Sequence, residues 1–370
     1  MNFKIQRPTI AVTGSAGKTT TKAFIASILR TRWITFESSD YWNRTDHTEQ
    51  HLEQISLIHR ALVLEYGMAY PGVITRHCEI IKPNIAVITN VGKAHIGNFE
   101  DGIDGIAQAK SELIKGMNPA GILFINKDDE GSKLLQVNGF KGKLVTIGMK
   151  PGADYLATAV QQTDRGLSFK VVISGKEQNF STPVIGEYNL YNSLFAIGVA
   201  DQLGFSVSEI QEGLTSVKRP KNRLDMITFN HDIKLIDDTV HAFPDAMRAA
   251  IDTLSEIKGE KTIAVLGSMP GLGESHESEH KAIGRYLKNK RIDYLLTYGN
   301  ISENITVGAL EAGFNPKKVN HYSRTSVKKL HEDLIKLIEP GSTILIKGAS
   351  GLKMFETVRF LVDYYSNQKS

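Results

Sequence analysis

The sequence predicts an α/β chain of two domains, each built on a mostly parallel sheet. Three observations carry that prediction. A β-branched run at residues 9–12 passes into a glycine loop and then into a segment with apolar residues at helical spacing. Short apolar runs then alternate with helix-like stretches, the pattern of strands joined by crossovers. The same alternation restarts after residue 221.

In order, Thr9-Ile10-Ala11-Val12 leads into Gly14-Ser15-Ala16-Gly17-Lys18-Thr19-Thr20, and residues 22–29 continue as a helix. Apolar runs at 61–64, 85–88 and 122–125, the last after a helix-like 103–115, predict further parallel strands. From 144 to 184 the character changes. Leu167-Ser168-Phe169-Lys170-Val171-Val172-Ile173 reads as a strand and Ser174-Gly175-Lys176 as a turn, so an antiparallel addition is expected there. Helical periodicity at 188–203 and 208–217 stops near Arg219-Pro220. The domains are therefore placed at 1–221 and 222–370. In the second, strands are expected at 234–236, 262–266, 294–297 and 343–346, with helices at 244–255, 277–288 and 327–338. This is a Rossmann-like alternation, but no GxGxxG follows its opening strand, so a dinucleotide site has little support there.

At 370 residues the chain exceeds one ordinary domain of roughly 100–200 residues. Lys plus Arg number 44 against 40 Asp plus Glu, a formal +4 that is too small a bias for a nucleic-acid footprint. No stretch approaches the ~20 apolar residues of a membrane span. Neither nucleic acid nor membrane is expected as a partner. Cys78 is the only cysteine, which excludes an intrachain disulfide and a thiolate metal cluster. A reducing, cytoplasmic setting fits.

The glycine loop carries the chemistry. Gly14 and Gly17 let backbone N–H groups turn inward around a phosphate, Lys18 adds a point charge and Thr19 an oxygen for magnesium. Gly14, Ser15, Ala16, Gly17, Lys18, Thr19 and Thr20 are the expected phosphate contacts, so the first domain reads as a P-loop ATP-binding domain. Val12 stands where the common G-x-x-x-x-G-K-[ST] form has its first glycine.

This compact loop resembles that of the Mur ligase family, ATP-dependent enzymes that join a carboxylate to an amine. The resemblance continues in order through Leu64-Glu65-Tyr66-Gly67-Met68, Ile88-Thr89-Asn90-Val91-Gly92-Lys93-Ala94-His95, Ala107-Gln108-Ala109-Lys110-Ser111-Glu112, Gly186-Glu187-Tyr188-Asn189-Leu190-Tyr191-Asn192, Asn222-Arg223-Leu224 and Asp237-Asp238-Thr239-Val240-His241. Later segments, Val265 to Met269 and Ile346 to Ser350, look most like the branch that adds D-alanyl-D-alanine to a muramoyl tripeptide. The resemblance implies a P-loop central ATPase domain and a C-terminal Rossmann-like domain. It also implies ATP and two Mg²⁺ as cofactors, with small-molecule carboxylate and amine substrates joined through an acyl phosphate. Only a short stretch precedes Gly14, where the cell-wall members carry a domain of about a hundred residues that grips a UDP-sugar. The expected acceptor is therefore not the usual UDP-muramoyl peptide.

Thr19 and Glu65 are the expected oxygen ligands of the first Mg²⁺, since this hard cation prefers hydroxyl, carboxylate and phosphate oxygens. The resemblance assigns His95 and Lys110 to the second. Lys110 would take part as a CO₂-derived carbamate, which turns a cation into an anionic ligand. The family commonly has an acidic residue soon after this histidine, whereas Ile96 and Gly97 follow here. Asn189 and Asn192, three apart on one helix face, can offer amide groups to a purine edge. Arg223 is expected on the γ-phosphate, with Asp238 and His241 on the nucleotide or amine side. Lys18, His95, Lys110 and Arg223 are the expected catalytic residues.

Two other readings stand beside this one. His276-Glu277-Ser278-Glu279-His280 formally satisfies H-E-x-x-H, the helix signature of a zinc hydrolase. A non-enzymatic chain of the same sequence would be a nucleotide-dependent interaction subunit, binding ATP without substrate-stimulated ADP release.

Overall fold

Glycine loops, β-branched runs and amphipathic helices of this chain assemble two sheets. The computed structural model describes residues 7–40, 42–218, 221–257 and 259–366. Contacts divide it into two units. The described residues up to Lys93 and from Asn98 to 218 form one, and Ala94–Gly97 with the chain from Lys221 onward form the other.

The first unit runs β1 (Thr9–Thr13), α1 (Lys18–Leu29), β2 (Thr35–Glu37), α2 (Thr45–Gln54), β3 (Ala61–Glu65), α3 (Val73–Ile80), β4 (Ile85–Ile88), α4 (Gly102–Gly116), β5 (Ile122–Asn126), β6 (Lys143–Gly148), β7 (Tyr155–Thr163), β8 (Gly166–Ile173), β9 (Lys176–Thr182), α5 (Glu187–Gln202) and α6 (Val207–Thr215). Its nine strands lie in the order β2-β3-β1-β4-β5-β6-β7-β8-β9. Pairing is parallel from β2 through β7 and antiparallel for β7–β8 and β8–β9. The antiparallel addition thus begins two strands later than the change in sequence character at 144 suggests, because both β6 and β7 join the parallel set. β1, β3 and β4 are buried along their whole length, which is why they read as continuous apolar runs. α1 and α5 bury their apolar residues in one core with the strands, including Phe24, Ile28, Leu190, Leu194 and Phe195. Gly213 of α6 lets that helix close on α1: an added Cβ would meet the Ile28 backbone at 2.3 Å.

The second unit contains β10 (Asp225–Thr228), β11 (Lys234–Asp238), α7 (Pro244–Glu256), β12 (Lys261–Gly267), α8 (His276–Tyr286), β13 (Tyr294–Tyr298), α9 (Glu303–Glu311), β14 (Val319–Tyr322), α10 (Val327–Leu337), β15 (Ser342–Lys347) and α11 (Phe355–Ser366). Its sheet order is β10-β11-β15-β12-β13-β14, parallel except for the β10–β11 pair. Among the described residues no helix is long and apolar enough to cross a membrane.

Candidate active site

The glycine loop after β1, Glu65 at the end of β3 and Asn90 just after β4 lie at the carboxyl ends of neighbouring parallel strands, where parallel α/β sheets place ligands. Between β1 and α1 the chain turns at Gly14 (φ 148°) and Gly17 (φ 77°), the left-handed glycine being the N-cap of α1. Both glycines are also demanded by space. A Cβ on Gly14 would lie 1.8 Å from Thr89 Oγ1, and one on Gly17 would lie 2.4 Å from Asn192 Oδ1. The loop is braced from the end of β4: Ser15 and Ala16 N–H donate to Asn90 Oδ1 at 3.0 and 2.8 Å, and Thr89 Oγ1 donates to Ala16 O at 2.5 Å. Lys18 Nζ donates to Gly14 O at 3.0 Å, across the mouth of the loop. Thr19 and Thr20 are buried in the first turn of α1.

Register places the first acidic residue beside this loop. Val12 of β1 pairs with Glu65 of β3, so Glu65 ends its strand where β1 gives way to glycine. Its side chain is 2% exposed; Asn43 Nδ2 donates to Oε1 at 2.8 Å, while Oε2 is buried with no hydrogen-bond partner. An ionised carboxylate oxygen so placed costs stability unless a cation or donor completes it. The donor set of Thr19 hydroxyl, Glu65 carboxylate and nucleotide phosphate fits magnesium.

Lys110, in α4, is 2% exposed, unlike the solvated lysine that a helical position ordinarily suggests. Burial holds its amine well below the usual lysine range, the Lys18 charge adds to the depression and Asp129 opposes it. Glu112, two residues further along α4, accepts from the backbone N–H groups of Gly72 and Thr75 at 2.6 and 3.0 Å and so caps α3.

Asn189 and Asn192 share one face of α5, as their spacing predicts, but their amides are turned into the protein. Asn189 Nδ2 donates to Ile185 O at 2.7 Å, Asn192 Nδ2 donates to Asn189 Oδ1 at 3.0 Å, and Asn192 Oδ1 accepts from Thr21 at 2.9 Å. Together with the close approach to Gly17, these bonds make the pair a brace for the glycine loop.

In the second unit, Arg223 is half-buried between two left-handed residues, Asn222 (φ 60°) and Leu224 (φ 50°). For leucine that conformation costs of order 1–3 kcal/mol, a strain that points to function. Asn222 Nδ2 donates to Asp237 at 2.5 Å and Thr239 donates to the other oxygen at 2.7 Å, anchoring the turn that presents Arg223. Asp238 pairs with Lys347 of β15, its cross-strand neighbour, at 2.7 Å, and the same ammonium donates to the carbonyl of His241 at 2.8 Å. The His241 side chain is exposed. His95 is an exposed residue with φ 63° in the Ala94–Gly97 segment that groups with this unit, where Gly97 N–H donates to Gly271 O at 3.1 Å.

The zinc-hydrolase reading fails on geometry. His280 is buried with Nε2 accepting from Met269 N–H at 2.9 Å and Nδ1 on His276 O at 2.5 Å, so both ring nitrogens are spent on backbone. Glu277 pairs with Lys281 at 2.7 Å on the surface. Among the described residues no group of three His, Cys, Asp or Glu side chains is placed to hold a metal.

Sequence reasoning gave no role to Thr89, Asn90, Asp237 or Lys347, although each lies in a segment that carried the resemblance, and none to Asn43, for which no motif signal exists.

A strand–glycine loop–helix unit with a buried carboxylate at the neighbouring strand end, followed by a second α/β unit, defines a P-loop nucleotide-dependent enzyme. Residues 12–200 match the Mur ligase middle domain and residues 222–350 match the Mur ligase, glutamate ligase domain. The chain belongs to the Mur ligase family, and it is an ATP-dependent, ADP-forming carboxylate–amine ligase. The UDP-N-acetylmuramoyl-tripeptide–D-alanyl-D-alanine ligase of Bacillus subtilis is 33% identical over 357 residues, which cover 96% of this chain and 76% of that protein. The ligase of the same name from Escherichia coli is 27% identical and is likewise covered over 76% of its length. Among solved structures, MurF from Acinetobacter baumannii superposes with a TM-score of 0.88 at 28% identity, over 97% of this chain and 77% of that one.

Proposed function

We propose that this chain forms an amide bond between a small-molecule carboxylate and the amine of an amino acid or short peptide, through an acyl phosphate. A carboxylate oxygen attacks the γ-phosphorus of ATP, the new O–P bond replacing the bond to ADP. The amine then attacks the acyl carbon, the C–N bond forms as phosphate leaves, and the amine loses a proton. The observation that carries the reading is the glycine loop with Lys18 beside a buried Glu65 whose second oxygen has no protein partner. Lys18 neutralises phosphate charge as it is redistributed during transfer, and the loop amides orient the phosphates. Thr19 and Glu65 are the residues that would hold the first magnesium, which supplies charge neutralisation to the phosphates when bound. Residues for the second would be His95 and Lys110, the latter as a carbamate: its buried amine attacks CO₂, a C–N bond forms and a proton is released. Asn189 and Asn192 support the loop, and Asp238 with His241 borders the amine or ribose side.

The test is a panel of carboxylates and amines scored for ADP and phosphate release, with mass spectrometry of the product. Stimulated ADP release with an amide product is expected; ATP binding without stimulation by any pair would favour the interaction-subunit reading. The panel includes UDP-muramoyl tripeptide with D-alanyl-D-alanine, the substrates in the relatives' names. The expectation is that another carboxylate turns over faster, and efficient turnover of the muramoyl peptide overturns that part alone.

Arg223 meets the γ-phosphoryl group as charge develops. Arg223→Ala is expected to lower kcat by about 10²-fold while the KM for ATP moves by less than about 3-fold. Equal losses in both would make Arg223 a ground-state binding residue instead.

A further inference from the structure

The surroundings of Glu65 form a frame built from four other residues. Asn43 Nδ2 donates to Oε1, and Glu65 N–H donates to Ser38 Oγ at 3.0 Å. The segment carrying Ser38 is tied to α1 by Lys22, one turn beyond Lys18, whose ammonium donates to Ser38 O at 2.6 Å and Asp40 O at 2.5 Å. On the far side Gly67 N–H donates to Asn43 O at 2.8 Å, and an added Cβ on Gly67 would lie 2.6 Å from that oxygen and 2.7 Å from the Asn43 side chain. Gly67 is thus a glycine for reasons of space.

Chemistry distinguishes Asn43 from an ordinary packing residue. A Lys or Arg donor would neutralise Glu65 and repel a cation. A neutral amide fixes one carboxylate oxygen and leaves the charge, and the lone pairs of the other, available. Resting on the assignment of Glu65 made above, we infer that Asn43 is a positioning residue for the nucleotide-bound divalent cation: it aims Glu65 Oε2, and Gly67 leaves the room for it to do so.

Mn²⁺ serves as the probe, titrated by electron paramagnetic resonance in the presence of ADP, on the wild type, Asn43→Ala, Asn43→Leu, Gly67→Ala and Glu65→Gln. The inference expects the Mn²⁺ Kd to rise about 10-fold in both Asn43 variants and in Gly67→Ala. ADP affinity measured in EDTA should stay within about twofold, and the apparent KM for Mg²⁺ should rise with little change in kcat at saturating Mg²⁺. Asn43→Leu keeps side-chain volume without the donor, so it reports the hydrogen bond where Asn43→Ala loses stability. A folded Asn43 variant with wild-type Mn²⁺ affinity overturns the inference, and so does failure of both Asn43 variants to fold, which would make the residue structural. An unchanged Kd in Glu65→Gln would instead refute the assignment of Glu65 itself.

Discussion

Lys18→Ala is expected to lower substrate-stimulated ATP turnover by about 10²–10³-fold or more while leaving the fold intact. The half-buried ammonium donates to Gly14 O at 3.0 Å in the loop mouth, and loss of such a bond costs roughly 1 kcal/mol. The braces that hold the loop are elsewhere: Asn90 on the Ser15 and Ala16 amides, Thr89 on Ala16 O, and Asn192 behind Gly17. The melting temperature therefore changes little. What disappears is a positive charge that the loop directs toward transferring phosphate, and preorganised charge of this kind is the main lever on phosphoryl transfer. Lys18→Arg should recover little, because a planar fork replaces a point charge within contact of the Gly14 carbonyl. Steady-state ADP release and a thermal melt on the same preparations decide the matter. Turnover near the wild-type rate in Lys18→Ala would remove the phosphate-loop mechanism.

The parts legible in the sequence are those whose signal is local. Residues 9–29 were readable as strand, loop and helix because glycine spacing, β-branching and helical periodicity all change within a few residues. The alternating runs of the second unit are readable for the same reason, whereas β2 has only three residues and β14, Val319-Asn320-His321-Tyr322, lacks the continuous apolar run that makes the equally short β4 legible. β6 sits beside β5 through pairing that residues 143–148 do not announce, so the parallel set extends further than its composition suggests. Site residues divide similarly. The loop follows from its glycine spacing, and Glu65 from the motif Leu64-Glu65-Tyr66-Gly67-Met68 and magnesium's preference for oxygen, whereas the pairing of Glu65 with Val12 beside the loop is visible only in the folded chain. The direction in which Asn189 and Asn192 turn their amides is set by α5 lying behind Gly17 and Thr21, a tertiary fact with no local trace. H-E-x-x-H shows the converse: His276 and His280 have metal-site spacing, but packing of α8 aims the His280 ring at the Met269 amide.

Lys110 is the residue whose sequence appearance and structural setting differ most, and its replacement is expected to have an effect comparable to that of Lys18. A lysine buried in α4 near the positive Lys18 is unfavourable as an ammonium; desolvation first, and repulsion by Lys18 second, favour the neutral amine. A neutral amine is the form whose nitrogen lone pair attacks CO₂. A carbamate formed there would be an anion, so the repulsion from Lys18 would become attraction and an anionic oxygen would become available to a hard cation. Lys110→Met, which keeps most of the buried volume, is expected to lose about 10²-fold or more in kcat, with partial recovery in formate or acetate. Wild-type enzyme held in CO₂-free buffer should lose activity and regain it with bicarbonate, and isotopically labelled bicarbonate should give a carbamate carbonyl resonance absent from Lys110→Met. In a crystal with ATP analogue and magnesium, density should extend beyond Nζ by a planar three-atom group. A bare amine in that density, together with near-normal turnover of Lys110→Met, would exclude the carbamate and leave Lys110 a buried lysine of α4 with no part in the chemistry.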